Sequence, residues 1–287
     1  ASLKKVQRLT AYREILRDLI TDIDDLIERY GGIIAHHHLV NELMKDTTHA
    51  DATRSLATAQ NRLYFLLEEF VSDVLTFKKA TTHHTHAWSK DTAVFDSVHK
   101  TLERIHEHLA VHGKPTTHKK IAEHLQHSVD SVLSCLHLST KVAKSAFGLW
   151  GLSHWTDINP RRMADRIYLI LKKYGKPLHY KEISKSIQAH YKKNAHPPTV
   201  HNELIADKRF VLVGRGIYAL KEWGYIAGTV RDVVENILSK TNEALARESI
   251  IEQVQKARIV ARSTILLALN NHPKIIKTGK DHYKLET

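Results

Sequence analysis

Between Arg166 and Gly224 helix-period apolar runs are punctuated so often by Gly and Pro that only a small, tightly connected unit fits them. Ile167, Ile170, Leu171 and Tyr174 recur at spacings of three and four, which predicts a helix. Gly175 stops it, with Lys172 and Lys173 in the last turn, where the helix dipole favours cations. Ile183 and Ile187 repeat the spacing in a second helix. Pro197 and Pro198 can open a third, because the first turn of a helix leaves N–H groups unused. That third helix is expected to turn Val200, Leu204 and Ile205 inward and Thr199, His201 and Asn202 outward. Phe210 to Val213 and Ile217 to Leu220 then read as two strands around the short loop Gly214-Arg215-Gly216.

The same order returns along the chain. VHGKPTTHKKIAEHL, starting at Val111, parallels KYGKPLHYKEISKSI, starting at Lys173, and closing strands end LWGL, IYAL and HYKL. In the second copy, a helix through Val98, Leu102, Ile105 and Leu109 ends at Gly113. The helix after it holds Ile121 and Leu125, and Ser128 caps a third carrying Val129, Val132, Leu133 and Leu136. In the last copy the three helices centre on Val233 to Leu238, Ile250 to Val254 and Ala261 to Asn270, with a hairpin around Thr278 to Asp281. Upstream, residues 3–30 read as a long amphipathic helix ended by Gly31-Gly32. A short helix around His38 to Met44, a longer one from Asp51 to Glu69, a strand from Phe70 to Phe77 and a partner strand within His83 to Trp88 follow. A period of roughly 60 residues argues duplication of one module. Helix, helix, helix, hairpin is the winged-helix order. The expected fold is therefore mainly α with small β-hairpins, built as tandem winged-helix modules. These are an N-terminal helical, winged-helix-like module with its long lead-in helix (1–92), a second (93–157), a third (158–226) and a C-terminal one (227–287). Turn chemistry at Asp157-Ile158-Asn159-Pro160 and the stretch Gly224 to Gly228 mark two boundaries.

Charge separates the copies. Of the formal net charge of +12, residues 158–226 carry +9, from 14 basic and 5 acidic side chains, whereas residues 1–92 carry −1. A concentrated basic module calls for a polyanionic partner, and nucleic acid first. No run of eighteen apolar residues is present, so no membrane partner is expected. The single cysteine, Cys135, lies among Val132, Leu133 and Leu136 and reads as a buried, inert thiol. These features, and an N-terminus without a signal peptide's apolar core, predict a cytoplasmic protein. No P-loop, GxGxxG or GxSxG elbow occurs, so neither an enzyme nor a cofactor is expected.

Sixteen of the 22 histidines precede residue 158. His36-His37-His38 and His83-His84-Thr85-His86 resemble metal tracts, and His108 with His112 has helical spacing, but HExxH and CxxC are absent. Surface histidine is the favoured reading, with a metal- or pH-responsive regulator as the minor alternative.

Three segments, GKPLHYKEI, HPPTVHNEL and RFVLVGRGIYALKEWG, together resemble the HARE-type winged helix. This small domain occurs in the delta subunit of bacterial RNA polymerase, in ASX-like chromatin proteins and beside some restriction enzymes. The likeness covers about a fifth of the chain. A broader one, carried by GLWGL, DINPRRMADRIYLILKK and the HPPTVHNEL region, is to the C-terminal extension of sigma-factor-like proteins of small-genome bacteria. Polymerase-clamp helices and a promoter-melting segment are not found in the chain, and sigma activity is not carried over. The resemblance implies a bacterial transcription-associated factor.

In winged-helix geometry the third helix enters the major groove and the hairpin reaches flanking phosphates or the minor groove. The expected partner is double-stranded DNA, with Thr199, His201 and Asn202 facing it. Asn can pair with adenine and Thr can meet a thymine methyl or a phosphate. Arg215 is placed at the wing tip, and Lys192, Lys193, Arg161 and Arg162 on phosphates. The last module offers Arg258, Arg262 and Ser263 around its third helix and Lys280 at its hairpin. In the second module, Lys119, Lys120, Lys141 and Lys144 are offset by Glu103, Glu107 and Glu123, which predicts a solvated face. The alternative is a protein-interaction scaffold docking on RNA polymerase, supported by the near-neutral first half.

Overall fold

The computed structural model describes residues 17–45, 61, 65, 67, 75–241 and 243–286, and it is mainly helical with small antiparallel sheets. The chain divides into two units, Ala1–Asn159 and Pro160–Thr287.

The described part of unit 1 runs from α1, helical over 17–29, through a turn at Gly31 and Gly32 to β1 (Ile33–Ala35) and α2 (His36–Leu43); the 3–16 part of the expected long helix lies outside the described residues. Strands β2 (Thr76–Lys78) and β3 (Ala87–Ser89) complete a sheet of order β1-β3-β2. The helix expected from Asp51 to Glu69 lies outside the described residues except at 61, 65 and 67. The Phe70 to Val74 part of the expected strand lies outside them too. Next come α3 (Val94–His112), α4 (His118–Leu125) and α5 (Val129–Leu138), then the hairpin β4 (Val142–Lys144) and β5 (Trp150–Leu152). Local chemistry sets these limits. Gly113 ends α3 in the left-handed conformation, and Thr117 and Ser128 cap α4 and α5 by accepting from Lys120 N and Ser131 N. Of the apolar residues that α5 carries, Val132 and Leu136 are buried and Val129 is exposed.

Unit 2 repeats the pattern twice. The first pass is α6 (Met163–Tyr174), β6 (Leu178–His179), α7 (Tyr180–Tyr191), α8 (Pro197–Ala206), β7 (Phe210–Gly214) and β8 (Ile217–Leu220). The second is α9 (Val230–Leu238), β9 (Leu245–Ala246), α10 (Arg247–Ala257), α11 (Arg262–Asn270), β10 (Ile275–Lys277) and β11 (His282–Leu285).

Each sheet is held by one buried aromatic on its central strand. Trp88 pairs with Ile34, Trp150 with Thr116, Tyr218 with Leu178, and Tyr283 with Leu245. The partner residue always sits just before the second helix of its copy, so a short strand ties that helix to the hairpin. The sheet orders β6-β8-β7 and β9-β11-β10 match β1-β3-β2. These two- or three-residue strands carry no periodicity of their own, and the sequence reading did not include the ones at Leu178 and Leu245.

A single buried cluster crosses position 92. Ile33, Ala35 and Ala87 of the first sheet pack with Ile105, Ile121, Val132, Leu136 and Trp150. α5 lies along β1, where Ser134, wholly buried, donates to the Ile33 carbonyl at 2.5 Å. Gly31, at φ +83°, comes so near that a Cβ there would meet Ser131 Oγ at 3.0 Å. The face of α5 that carries Ser134 is thus covered by the first sheet. His36 and His38, expected at the surface, are buried as well, with Trp88 Nε1 donating to His36 Nδ1 at 2.7 Å.

Candidate nucleic-acid interface

The entry of α8 is fixed from α7. Ser184 Oγ and Gln188 Nε2 both donate to the buried carbonyl of Ala195, at 2.6 and 3.2 Å. Buried carbonyls need such partners, and two donors from one helix leave the next helix little freedom to swing. Pro197 and Pro198 then occupy the first turn, and Val200 and Leu204 face the core. Ile205 does not, being 66% exposed: α8 ends one residue later and nothing packs over that side. The inward assignment of Ile205 is corrected accordingly.

Thr199 and Asn202 are exposed on the outer face of α8. His201 is half-buried. Its ring stacks on Tyr180 at 4.7 Å and meets Tyr218 edge-on at 5.7 Å. It is therefore a clamped platform, whereas Thr199 and Asn202 are free to reach a ligand. Strands β7 and β8 pair up to Gly214 and Ile217, which leaves Arg215-Gly216 as a two-residue tip. Gly216 sits at φ +68°, and a Cβ there would come 2.7 Å from His179 Nε2 and 3.2 Å from Tyr180. The chain of contacts Gly216, Tyr180, His201 places the wing tip and the middle of α8 on one surface, with Arg215 exposed at its edge.

Cations bracket this helix. Lys192 and Lys193, both exposed, stand just before it, with Lys192 ending α7 in the left-handed conformation. Arg161 and Arg162 are exposed at the start of α6. Arg162 lies close enough to the other end of α8 that its charge helps hold the Asp207 carboxyl low, after the larger effect of Arg209. Arg209 itself is committed. It forms a two-oxygen contact with Asp207 at 2.7 and 3.1 Å and reaches Asp165 at 3.0 Å. Not every arginine in the basic stretch is thus available for phosphate, and the sequence reading had no signal for this three-way pair beyond the Asp-Lys-Arg run.

The last copy looks different. Arg262 and Ser263 are exposed at the start of α11, but Arg262 grips Glu248, with one contact at 2.6 Å. Arg258 is 8% exposed, and its guanidinium donates to the Gly228 carbonyl. Burial lowers its pKa, partly offset by Asp232. Its assignment as a surface cation is corrected: it ties the start of α9 to the end of α10. Lys280 is exposed in the β10–β11 turn. On the outer face of α11, the place of Asn202 is taken by Leu267, 62% exposed. Ile259 N donates to the Val213 carbonyl at 2.8 Å, so the edge of β7 already receives a protein contact from this copy.

Lys119, Lys120, Lys141 and Lys144 are exposed in unit 1, on elements other than α5. Among the described residues no three histidine, cysteine or carboxylate side chains converge to hold a metal, and no helix is long and apolar enough to cross a membrane. No family model and no curated protein matches the chain.

Proposed function

We propose that the chain is a tandem array of winged-helix modules, the third of them HARE-type, and that it binds double-stranded DNA through α8 and its wing as a bacterial, cytoplasmic, transcription-associated factor without catalytic activity. The observation that carries this reading is the open outer face of α8, with Thr199 and Asn202 exposed and Lys192, Lys193, Arg161, Arg162 and Arg215 around it. Asn202 is assigned to base edges and the cations to phosphates. Arg262, Ser263 and Lys280 form a weaker second contact, since Glu248 already neutralises Arg262. The test is a titration of duplex binding against salt. Counterion release requires log affinity to fall linearly with log salt, by about 0.9 per phosphate neutralised. Absence of duplex binding at low salt sinks the reading.

A second reading is favoured by Ile205 and Leu267, large apolar side chains standing in water on two third helices. In it the modules dock on protein, with RNA polymerase as the partner. Capture of core polymerase without DNA, unaffected by changes at Arg215 and Asn202, would select it over the first.

A further inference from the structure

Three imidazoles meet at the junction of α2 and α5: His38 is buried, His137 half-buried and His37 exposed at the rim. His38, 5% exposed, stacks on His137 with ring centroids 4.0 Å apart and planes 12° apart, and His37 Nε2 lies 3.3 Å from His137 Nδ1. Tyr30 meets His38 edge-on at 4.9 Å, and Trp150 meets His137 at 5.0 Å. His38 Nε2 is buried without a hydrogen-bond partner, and Glu42 Oε1 stands 3.9 Å from it, too far to accept a proton.

The surroundings disfavour positive charge. Glu42 faces the cluster from α2, Lys45 from the turn just after it, Lys144 from β4 and His118 from α4. Glu42 is the one carboxylate among these, and Lys45 already holds it at 2.5 Å. Burial pushes His38 down to about 4 and His137 down to about 3, and lowers His37 as well. Two protonated rings in face-to-face contact would repel each other with no solvent between them.

We propose that protonation of His38 and His137 opens the α2–α5 junction and uncovers the face of α5 that β1 covers at neutral pH. The opening follows from the cluster alone. That the uncovered face then binds a partner rests on the winged-helix reading, in which α5 is a third helix. A metal site is the lesser use of these rings, because their nitrogens do not converge.

Cys135, the only cysteine, lies in α5 at 2% exposure and serves as the reporter. Burial pushes its thiol up to about 12, so it is inert while the junction is closed. The full chain is labelled with 4,4′-dithiodipyridine between pH 7.5 and 5, each rate being divided by that of the urea-unfolded chain at the same pH. The normalised rate should rise roughly tenfold or more as pH drops below about 6.5, where exposed histidine titrates. The H38Q/H137Q double variant should abolish the rise. A flat wild-type rate, or an equal rise in the variant, overturns the proposal. Should the variant fail to fold, ring-proton NMR titration of His38 and His137 in the wild type decides: midpoints below about 5 support it, and midpoints near 6.5 overturn it. Failure of duplex binding by unit 2 would leave these readouts unchanged, so the two ideas fail separately.

Discussion

Helices α5 and α8 occupy the same place in the same order of elements, and they meet opposite fates. Both bury a pair four residues apart, Val132 with Leu136 and Val200 with Leu204. Two residues beyond the first of each pair, however, stand Ser134, sealed against Ile33, and Asn202, open to solvent. The sheet formed before position 92 covers the helix that follows it. An outer helix face is therefore not set by the order of elements; whatever packs beside it decides whether it can meet a ligand. α11 is a third case, open like α8 but apolar at Leu267 and with its leading arginine already paired.

The sharpest way to break this comparison is to place one side chain at both positions. Ser134→Arg should cost about 3 kcal/mol or more, because it buries a charge and removes the bond to Ile33. Asn202→Arg, at the matching exposed site, should stay within about 0.5 kcal/mol. Urea unfolding midpoints measure both, and equal shifts would end the distinction.

Acid should next separate covered from open. Folded His38 takes up its proton near pH 4, whereas in the unfolded chain it does so near 6.5. The stability this group supports is complete above about pH 6.5 and is lost as pH falls toward 4, since the unfolded state then binds more protons. At pH 5 the loss from such a histidine is about 2 kcal/mol, and His137 acts in the same direction. Calorimetry of the H38Q variant should show a flatter dependence of the unit 1 transition on pH.

On the open side, removing Lys192, Lys193 and Arg215 together should weaken duplex binding about a hundredfold at moderate salt and reduce the salt slope by about 3. Asn202→Ala should alter preference among duplex sequences more than overall affinity, as competition between labelled duplexes would reveal. The smallest effect belongs to α11. Arg262→Ala should change duplex affinity by about twofold or less, because its guanidinium is already engaged by Glu248. A loss matching that of Arg215→Ala would place α11 on the DNA as firmly as α8.

Much of the scaffold was legible because it depends on local chemistry. Gly113 and Gly175 terminate helices whose last-turn carbonyls accept from their N–H groups, Ser128 caps, and the LWGL, IYAL and HYKL motifs mark the central strands. What was not legible involved partners far along the chain. The two-residue strands at Leu178 and Leu245 exist only through pairing with Tyr218 and Tyr283. Ile205 reads as core by its neighbours Val200 and Leu204, yet α8 ends before anything can cover it. Arg258 reads as a free surface cation from its place beside a third helix, whereas the Gly228 carbonyl claims it, and Asp165 with Asp207 claim Arg209.

By itself, then, the order of residues determined the repeated helices and hairpins, the two Gly-Lys-Pro joints and the concentration of charge on residues 158–226. Each of these follows from steric and dipolar rules that act within a few residues. Only the tertiary structure decided which third helix stays open, which arginines remain unpaired and which histidines lose water. Those outcomes turn on desolvation and on pairing between segments up to 101 positions apart, as Ile33 and Ser134 are. No local pattern records that distance.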